Sequence, residues 1–265
     1  ELNALVDEPK DGSGWYFPCR AEKDGRQYAP WKMLPEADKP ALNAWLAEQP
    51  LVLANQDLRI VHAAWLPESL ATLEAAVGED LIAQYRRYDD ELVHALQTAS
   101  WYGDYLHEQE KHAEALENAD MPPPPMPATA QYELARSRLH PIRALTSGAE
   151  VIAPAPFYAG GRWRYTARSA WWQNYHNTSA VLIGHYWRHW YPRDADPTRE
   201  NLMPPQNNAW HGAAHNVFCI DYSVGARWRD RKAGIAPAHS EFRLAAMRWP
   251  ERVLVFDDGE TAATV

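Results

Sequence analysis

The sequence predicts an α/β fold, because short apolar segments typical of strands flank one long segment of helical periodicity. Of the 265 residues, 46% are apolar and 23% are charged, which is typical of a chain that buries a sizeable core. The 21 Pro and 13 Gly residues are spread along the chain, so collagen-like and disordered proteins are excluded. We expect a single domain over residues 1–265.

The first third of the chain, after an irregular segment of 40 residues rich in Gly and Pro, carries signals for a helix, a hairpin and a second helix. These elements are predicted at residues 40–49, 51–62 and 67–76. The hairpin is predicted because two apolar runs flank the turn-forming Asn55-Gln56-Asp57.

Residues 79–120 are predicted to form a helical insertion or cap within the domain. Apolar side chains recur at helical spacing from Leu81 to Ala99, and Gly103 is a point where the helix is expected to break. The following run of prolines predicts an extended linker over residues 121–130.

The second half of the chain is predicted to be rich in strands, joined by a long polar loop at residues 192–215. Its apolar runs predict strands at Ala149–Ile152, Trp163–Ala167, Ala180–Ile183, Val217–Ile220, Phe242–Met247 and Val253–Phe256.

The net charge of −9 is unevenly distributed. Residues 1–120 carry a balance of −13, whereas residues 121–265 carry +4, and all but one of the basic side chains in that second part are Arg. Arg binds phosphate and carboxylate through paired donors, so this bias suggests an anionic ligand. Surface pairing with acidic neighbours would explain it equally well. Nucleic acid is excluded as a partner, because no contiguous basic run exists.

No membrane partner is expected, since no apolar stretch approaches the roughly 20 residues that cross a bilayer. Cys19 and Cys219 lie far apart in the sequence and form no paired motif. They exclude a disulfide scaffold and a Cys-rich zinc site, and they suit a reducing, cytoplasmic compartment.

Two histidines follow apolar strands and are the first candidate site residues. His62 ends the segment Leu58-Arg59-Ile60-Val61-His62. His185 follows Ala180–Ile183 and Gly184, a glycine that is expected to permit a close backbone approach. A single histidine of this kind is more often a buried structural residue, but two at strand ends suggest a metal site. Two ligands do not close such a site, so others are required.

Three arginines form the other candidate feature. Arg162 and Arg164 lie on one face of a predicted strand, and Arg168 follows farther along. Beside a metal site they would bind a phosphoryl group and neutralise charge that develops on it. Taken alone, the segment is more often an Arg-aromatic surface strip.

Other motifs carry less weight. His94, His107 and His112 lie on the predicted long helix without a zinc-protease pattern, and His211 and His215 are four residues apart in a loop. The sequence contains no nucleophile elbow, phosphate-binding P-loop or dinucleotide-binding glycine motif, so the corresponding enzyme classes have no support.

The order of these features resembles the calcineurin-like metallophosphoesterases, in the bacterial branch related to Ser/Thr phosphoprotein phosphatases. Residues 58–67, LRIVHAAWLP, resemble the strand that ends in the family's HGG-type histidine, and residues 181–188, VLIGHYWR, resemble its later GH motif. NVFCIDYSVG at 216–225 and FRLAAMRWPERVLVFD at 242–257 resemble its closing hairpins.

The resemblance implies a sandwich of two mixed sheets flanked by helices. It also implies that Glu1 is the Glu of the family's GNHE motif, so that the earlier metal-binding motifs lie upstream of the chain. We therefore expect this polypeptide to be inactive alone and the longer parent protein to be a phosphatase.

The function implied by the resemblance is metal-assisted hydrolysis of a phosphoester. His62 and His185 are expected to ligate two divalent ions (Mn²⁺, Fe²⁺ or Zn²⁺) that activate water for attack on phosphorus. Arg168 is expected to act catalytically by holding the phosphoryl group, with Arg162 and Arg164 as alternatives. The substrate would be a phosphoprotein, a dinucleoside polyphosphate or a small phosphoester.

The alternative function is a non-catalytic binding module whose surface is rich in Trp and Arg. The 13 Trp residues would then form an exposed patch, and the imidazoles of His62 and His185 would lie more than about 10 Å apart.

Overall fold

The computed structural model describes residues 2–76, 78–190, 202–203 and 207–265, and over these it is a mixed α/β fold. The described α-helices are α1 (Leu2–Leu5), α2 (Ala21–Gln27), α3 (Lys39–Ala47), α4 (Pro67–Glu74), α5 (Leu81–Thr98), α6 (Tyr102–Lys111), α7 (Ala113–Glu117), α8 (Pro127–Arg138), α9 (Pro141–Ser147) and α10 (Arg227–Lys232). The described strands are β1 (Val52–Ala54), β2 (Leu58–Val61), β3 (Glu150–Ala159), β4 (Arg162–Arg168), β5 (Ala180–Ile183), β6 (Val217–Cys219), β7 (Ala245–Arg248), β8 (Val253–Phe256) and β9 (Thr261–Ala263). In this part of the chain, no helix combines the length and apolar character needed to cross a membrane.

The central sheet has four strands in the order β1-β2-β5-β6. The predicted hairpin β1–β2 is present, and its turn is fixed by the Asn55 side chain, which accepts the backbone N–H groups of Asp57 and Leu58. Strands β2, β5 and β6 run parallel, so their carboxyl ends lie at one edge of the sheet. Strand β5 is buried along its whole length, as an apolar run without alternation predicts.

Both faces of this sheet are covered by apolar side chains. On one face, Val181 and Ile183 pack with Leu145 of α9 and with Trp171 and Trp172. On the other face, residues of β5 and β6 pack against Leu254 and Phe256 of β8 in the three-stranded antiparallel sheet β7-β8-β9. The four-stranded sheet therefore lies between this second sheet and a layer of helix and aromatic residues.

The number of sheets corrects the two-sheet prediction. The described residues form three sheets, because β3 and β4 pair only with each other, as a long antiparallel hairpin. The register shifts between Ile152 and Phe157, where prolines interrupt the ladder. Two backbone N–H groups of β4, those of Tyr165 and Thr166, donate to the Glu133 carboxylate on α8 and fix the hairpin to that helix.

The predicted helical insertion at 79–120 is helical but consists of three helices, α5 to α7. The break falls between Ala99 and Trp101, whereas Gly103 lies inside α6. Tyr85, Tyr88, Leu92 and Leu96 bury the apolar face of α5, and the Asp80 side chain caps its first turn.

The predicted linker at 121–130 is too long. Helix α8 begins at Pro127, because proline is favoured in the first turn of a helix, where its missing N–H has no partner to lose. The Glu108 carboxylate of α6 accepts the N–H groups of Ala128 and Thr129, so the extended segment ends at a helix that is capped from the insertion itself.

The predicted loop at 192–215 falls partly outside the described residues, which omit 191–201 and 204–206. Within the described part, His211 forms a bridge with Val217 and His215 lies in a turn. Neither residue lies in a helix, in agreement with the loop predicted for this segment.

Candidate functional site

The candidate site lies where the three parallel strands of the central sheet end. His62 follows β2 directly, His185 lies two residues beyond β5, and Asp221 lies two residues beyond β6. The backbone holds these ends together, because the N–H of Gly184 donates to the His62 carbonyl at 2.9 Å. Polar side chains that follow neighbouring parallel strands share one edge of a sheet, which is where α/β folds bind ligands.

The imidazoles of His62 and His185 are brought together. Their ring centroids lie 5.7 Å apart in an edge-to-face arrangement. His185 has a φ of 66°, and such a left-handed backbone costs free energy for a residue with a side chain. The turn after β5 thus aims this ring toward His62 in a conformation that local preferences alone would not choose.

The His185 ring is held in its neutral form. Burial lowers its pKa to about 4, and the positive charge of Arg168 and the neighbouring His62 act in the same direction, while hydrogen bonding to the Ser147 backbone opposes them. At neutral pH the imidazole therefore carries no charge, and a neutral imidazole is the form that ligates metal ions.

Arg168, the last residue of β4, is the cation of this site. Its guanidinium carbon lies 5.3 Å from the ring centroid of Trp187 and 5.9 Å from that of Tyr186. Among the residues that the structure describes, no carboxylate forms an ion pair with Arg168. Aromatic rings hold the guanidinium without using its N–H donors, so these donors are available to an anionic ligand.

Arg162 and Arg164 are not brought to this site. They lie six and four residues before Arg168 on an extended strand, which corresponds to roughly 20 and 13 Å. Arg162 donates to the Gln109 side chain of α6 at 3.0 Å, and the Arg164 Nε group faces the Ala159 carbonyl at 3.5 Å. Both belong to the distal end of the β3–β4 hairpin.

The donor set fits a divalent metal ion only in part. Two imidazoles, one of them neutral because it is buried, are ligands that first-row divalent ions accept. No group of three or more His, Cys, Asp or Glu side chains in the described ranges could hold a metal ion. The Asp221 carboxylate lies at the same sheet edge, but it accepts the backbone N–H of Ser223 at 2.9 Å.

Comparison with known proteins identifies no relative. No protein-family model, curated protein or solved structure matches this chain. The assignment of function therefore depends on the residues of the site.

Sequence reasoning missed two aromatic residues of the site. Tyr186 is buried beside Trp172, with ring centroids 5.1 Å apart, and Trp187 is 63% exposed next to Arg168. The signal was present as two aromatic residues directly after a strand-end histidine. It was missed because sequence alone does not distinguish the exposed Trp residues from the many that pack internally.

The glycine before His185 does not have its predicted role. We expected Gly184 to permit a close backbone approach, but a Cβ atom there would lie 3.6 Å from the His62 carbonyl oxygen, an ordinary contact. The backbone hydrogen bond from position 184 to His62 does not require glycine either, because any residue other than proline carries that N–H group.

Proposed function

We propose that this chain supplies part of the active site of a metal-dependent phosphoester hydrolase with a calcineurin-like fold. The observation that carries the proposal is the grouping of two strand-end imidazoles with an arginine that has no carboxylate partner among the described residues. An arginine grouped with two imidazoles favours an anion such as a phosphoryl group.

His62 and His185 would hold divalent ions, with Mn²⁺, Fe²⁺ and Zn²⁺ as candidates. Such ions supply Lewis acidity and lower the pKa of water, which provides a nucleophile at neutral pH. The low pKa of His185 keeps its nitrogen lone pair available, and Arg168 would bind the phosphoryl oxygens and orient them.

Two imidazoles do not complete a metal site, so further donors are required. We further propose a cytoplasmic location, since both cysteines are free and the buried Cys219 thiol has its pKa raised to about 11 by burial.

The proposal is tested in the full-length protein with the substitutions His62→Ala and His185→Ala. Each should abolish the divalent-metal-dependent hydrolysis of p-nitrophenyl phosphate, whereas the matched variant His176→Ala, at an exposed loop position, should retain it. Activity that persists in both site variants would refute the proposal.

Arg168→Met provides a second test, because it keeps an unbranched side chain on the aromatic rings and removes the charge. We expect a raised KM and a lowered kcat, since a phosphoryl-binding cation acts in both the bound and the transition state. Unchanged kinetics would exclude Arg168 from the site.

A further inference from the structure

Trp187 is the exposed aromatic residue of the candidate site. Of the 13 Trp residues, all of which the structure describes, only Trp187 and Trp45 are exposed, at 63% and 57%. Trp45 lies on α3 at a distance in sequence from every site residue, whereas Trp187 follows His185 by two positions. An exposed aromatic ring that contacts both Arg168 and His185 is placed to contact a ligand bound at the site.

The Trp187 ring is held in position by its backbone and by its neighbours. The φ of 48° at Trp187, after 66° at His185, defines a tight left-handed turn that most residues avoid. Arg168 packs over the ring at 5.3 Å, and the ring centroid of His185 lies 6.5 Å away. Arg168 therefore lies over part of the ring, while much of the ring surface beside it remains open.

We propose that Trp187 binds a planar aromatic group of the substrate and so makes the enzyme selective for aromatic phosphoesters. This inference rests on the proposed phosphatase function and names its substrate class. The phosphoryl group would lie against Arg168 and the histidines, and the aromatic group would stack on the open surface of Trp187. A ring packed against a guanidinium is a rigid platform, because little side-chain freedom is lost when the ligand binds.

The side chains of Arg168 and Trp187 favour a ligand that is both anionic and planar over an apolar ligand of another shape. Arg168 neutralises the phosphoryl group, and the flat indole adds contact area only to a flat partner. Two classes of phosphoester combine an aromatic ring with a phosphoryl group. In nucleoside monophosphates a ribose joins the two, and in phosphotyrosine a single oxygen atom does.

The test compares phenyl phosphate with cyclohexyl phosphate, which are similar in size but differ in aromaticity and in leaving-group reactivity. Because the reactivity difference is the same for every variant, the informative quantity is the change in their ratio between wild type and Trp187→Ala. For the wild-type full-length protein we expect kcat/KM to favour phenyl phosphate, and Trp187→Ala should reduce that preference by about fivefold. Trp187→Phe should restore most of it. The matched control Trp45→Ala should leave the preference unchanged.

Binding of phenylphosphonate and cyclohexylphosphonate, measured by calorimetry, gives a readout that needs no turnover. The same preference, and its loss in Trp187→Ala, should appear in the dissociation constants. AMP and phosphotyrosine as competitors then distinguish the two sources, because the physiological class should compete more tightly and lose more affinity in Trp187→Ala.

The two proposals fail separately. Hydrolysis that survives both His62→Ala and His185→Ala refutes the proposed phosphatase site. Hydrolysis that requires His185 but shows the same phenyl-to-cyclohexyl ratio in wild type and Trp187→Ala refutes the role of Trp187. If no hydrolysis is measured, an equal affinity for the two phosphonates likewise overturns it.

Discussion

Gly148 lies at the end of α9 and next to Tyr186, the residue after His185. The substitution Gly148→Ala tests whether the turn that follows β5 is packed as tightly as the structure shows. This residue ends α9 with φ 78° and ψ 156°, a region that only glycine adopts without strain. A Cβ atom at this position would lie 3.1 Å from the Tyr186 hydroxyl oxygen. Tyr186 immediately follows His185, so a displacement of Tyr186 by the added methyl group would also disturb the position of His185.

The expected loss has two parts. The backbone conformation costs about 1–3 kcal/mol for a residue with a Cβ atom. The close contact with the Tyr186 hydroxyl adds about 1 kcal/mol, because the oxygen must move by a few tenths of an ångström in a packed interior. Gly148→Ala should therefore lower the free energy of unfolding by about 2–4 kcal/mol.

Tyr186→Phe separates these two parts. The Tyr186 hydroxyl is buried and has no hydrogen-bond partner among the residues that the structure describes, and the nearby Trp171 indole N–H donates instead to the Ala63 carbonyl. Removal of the Tyr186 hydroxyl alone should leave the free energy of unfolding unchanged or raise it by about 1 kcal/mol, since an unpaired buried hydroxyl is costly. In Gly148→Ala/Tyr186→Phe the steric part should disappear and the backbone part should remain.

Urea denaturation of the four proteins in this cycle measures the coupling. The expected coupling energy between the two positions is about 1 kcal/mol in the stabilising direction. Strictly additive effects would show that the hydroxyl does not contact this position. A loss below about 0.5 kcal/mol for Gly148→Ala would refute the left-handed backbone as well.

Three further predictions test the core and the titrating groups. Leu254→Ala, between the two sheets, should lower the free energy of unfolding by about 2–5 kcal/mol in urea denaturation, whereas Leu244→Ala, at an exposed position, should have little effect. Hydrogen bonding to Arg227 lowers the pKa of Asp257 to about 2, so stability that is complete above pH 4 should fall toward pH 2, and Asp257→Asn should flatten this decline in acid-dependent denaturation. The imidazole of His185 has its ordinary pKa of 6.5 in the unfolded chain and a pKa of about 4 in the folded chain. The unfolded chain therefore binds the proton first, and the free energy of unfolding should fall as the pH is lowered from 6.5 to 4. An NMR titration of the folded protein with an imidazole midpoint near 6.5 would contradict this prediction.

The strands of the central sheet were predictable where isolated apolar runs are bounded by turn residues. The bounds of β5 and β8 agree with the prediction because each run has polar or turn-forming residues on both sides. Helix α8 was missed because the prolines before it indicate extended chain, and proline at the first helical position looks the same in a sequence as proline in a linker. The short β9 pairs only with β8 and carries no strong apolar signal.

The candidate site was predictable in its strand-end residues and not beyond them. His62 and His185 were identified because each follows an apolar run. They lie close together because β2 and β5 pair in parallel with little offset. The choice among the three arginines depended on how the β3–β4 hairpin packs, which no local pattern encodes. Exposure of Trp187 depends on the left-handed turn that precedes it, and neither residue of that turn is one that usually predicts such a backbone.

Arg168 and Trp187 act as one unit, and this determines how their variants must be interpreted. Since the guanidinium packs on the indole ring, loss of the ring also releases Arg168, and absolute rates in Trp187→Ala will fall for every phosphoester. Only the ratio between aromatic and alicyclic substrates isolates the stacking contribution, because the phosphoryl contacts cancel in it. Conversely, Arg168→Met should lower the rates for both substrates and leave their ratio nearly constant, so the two variants separate anion binding from aromatic recognition even though the side chains touch.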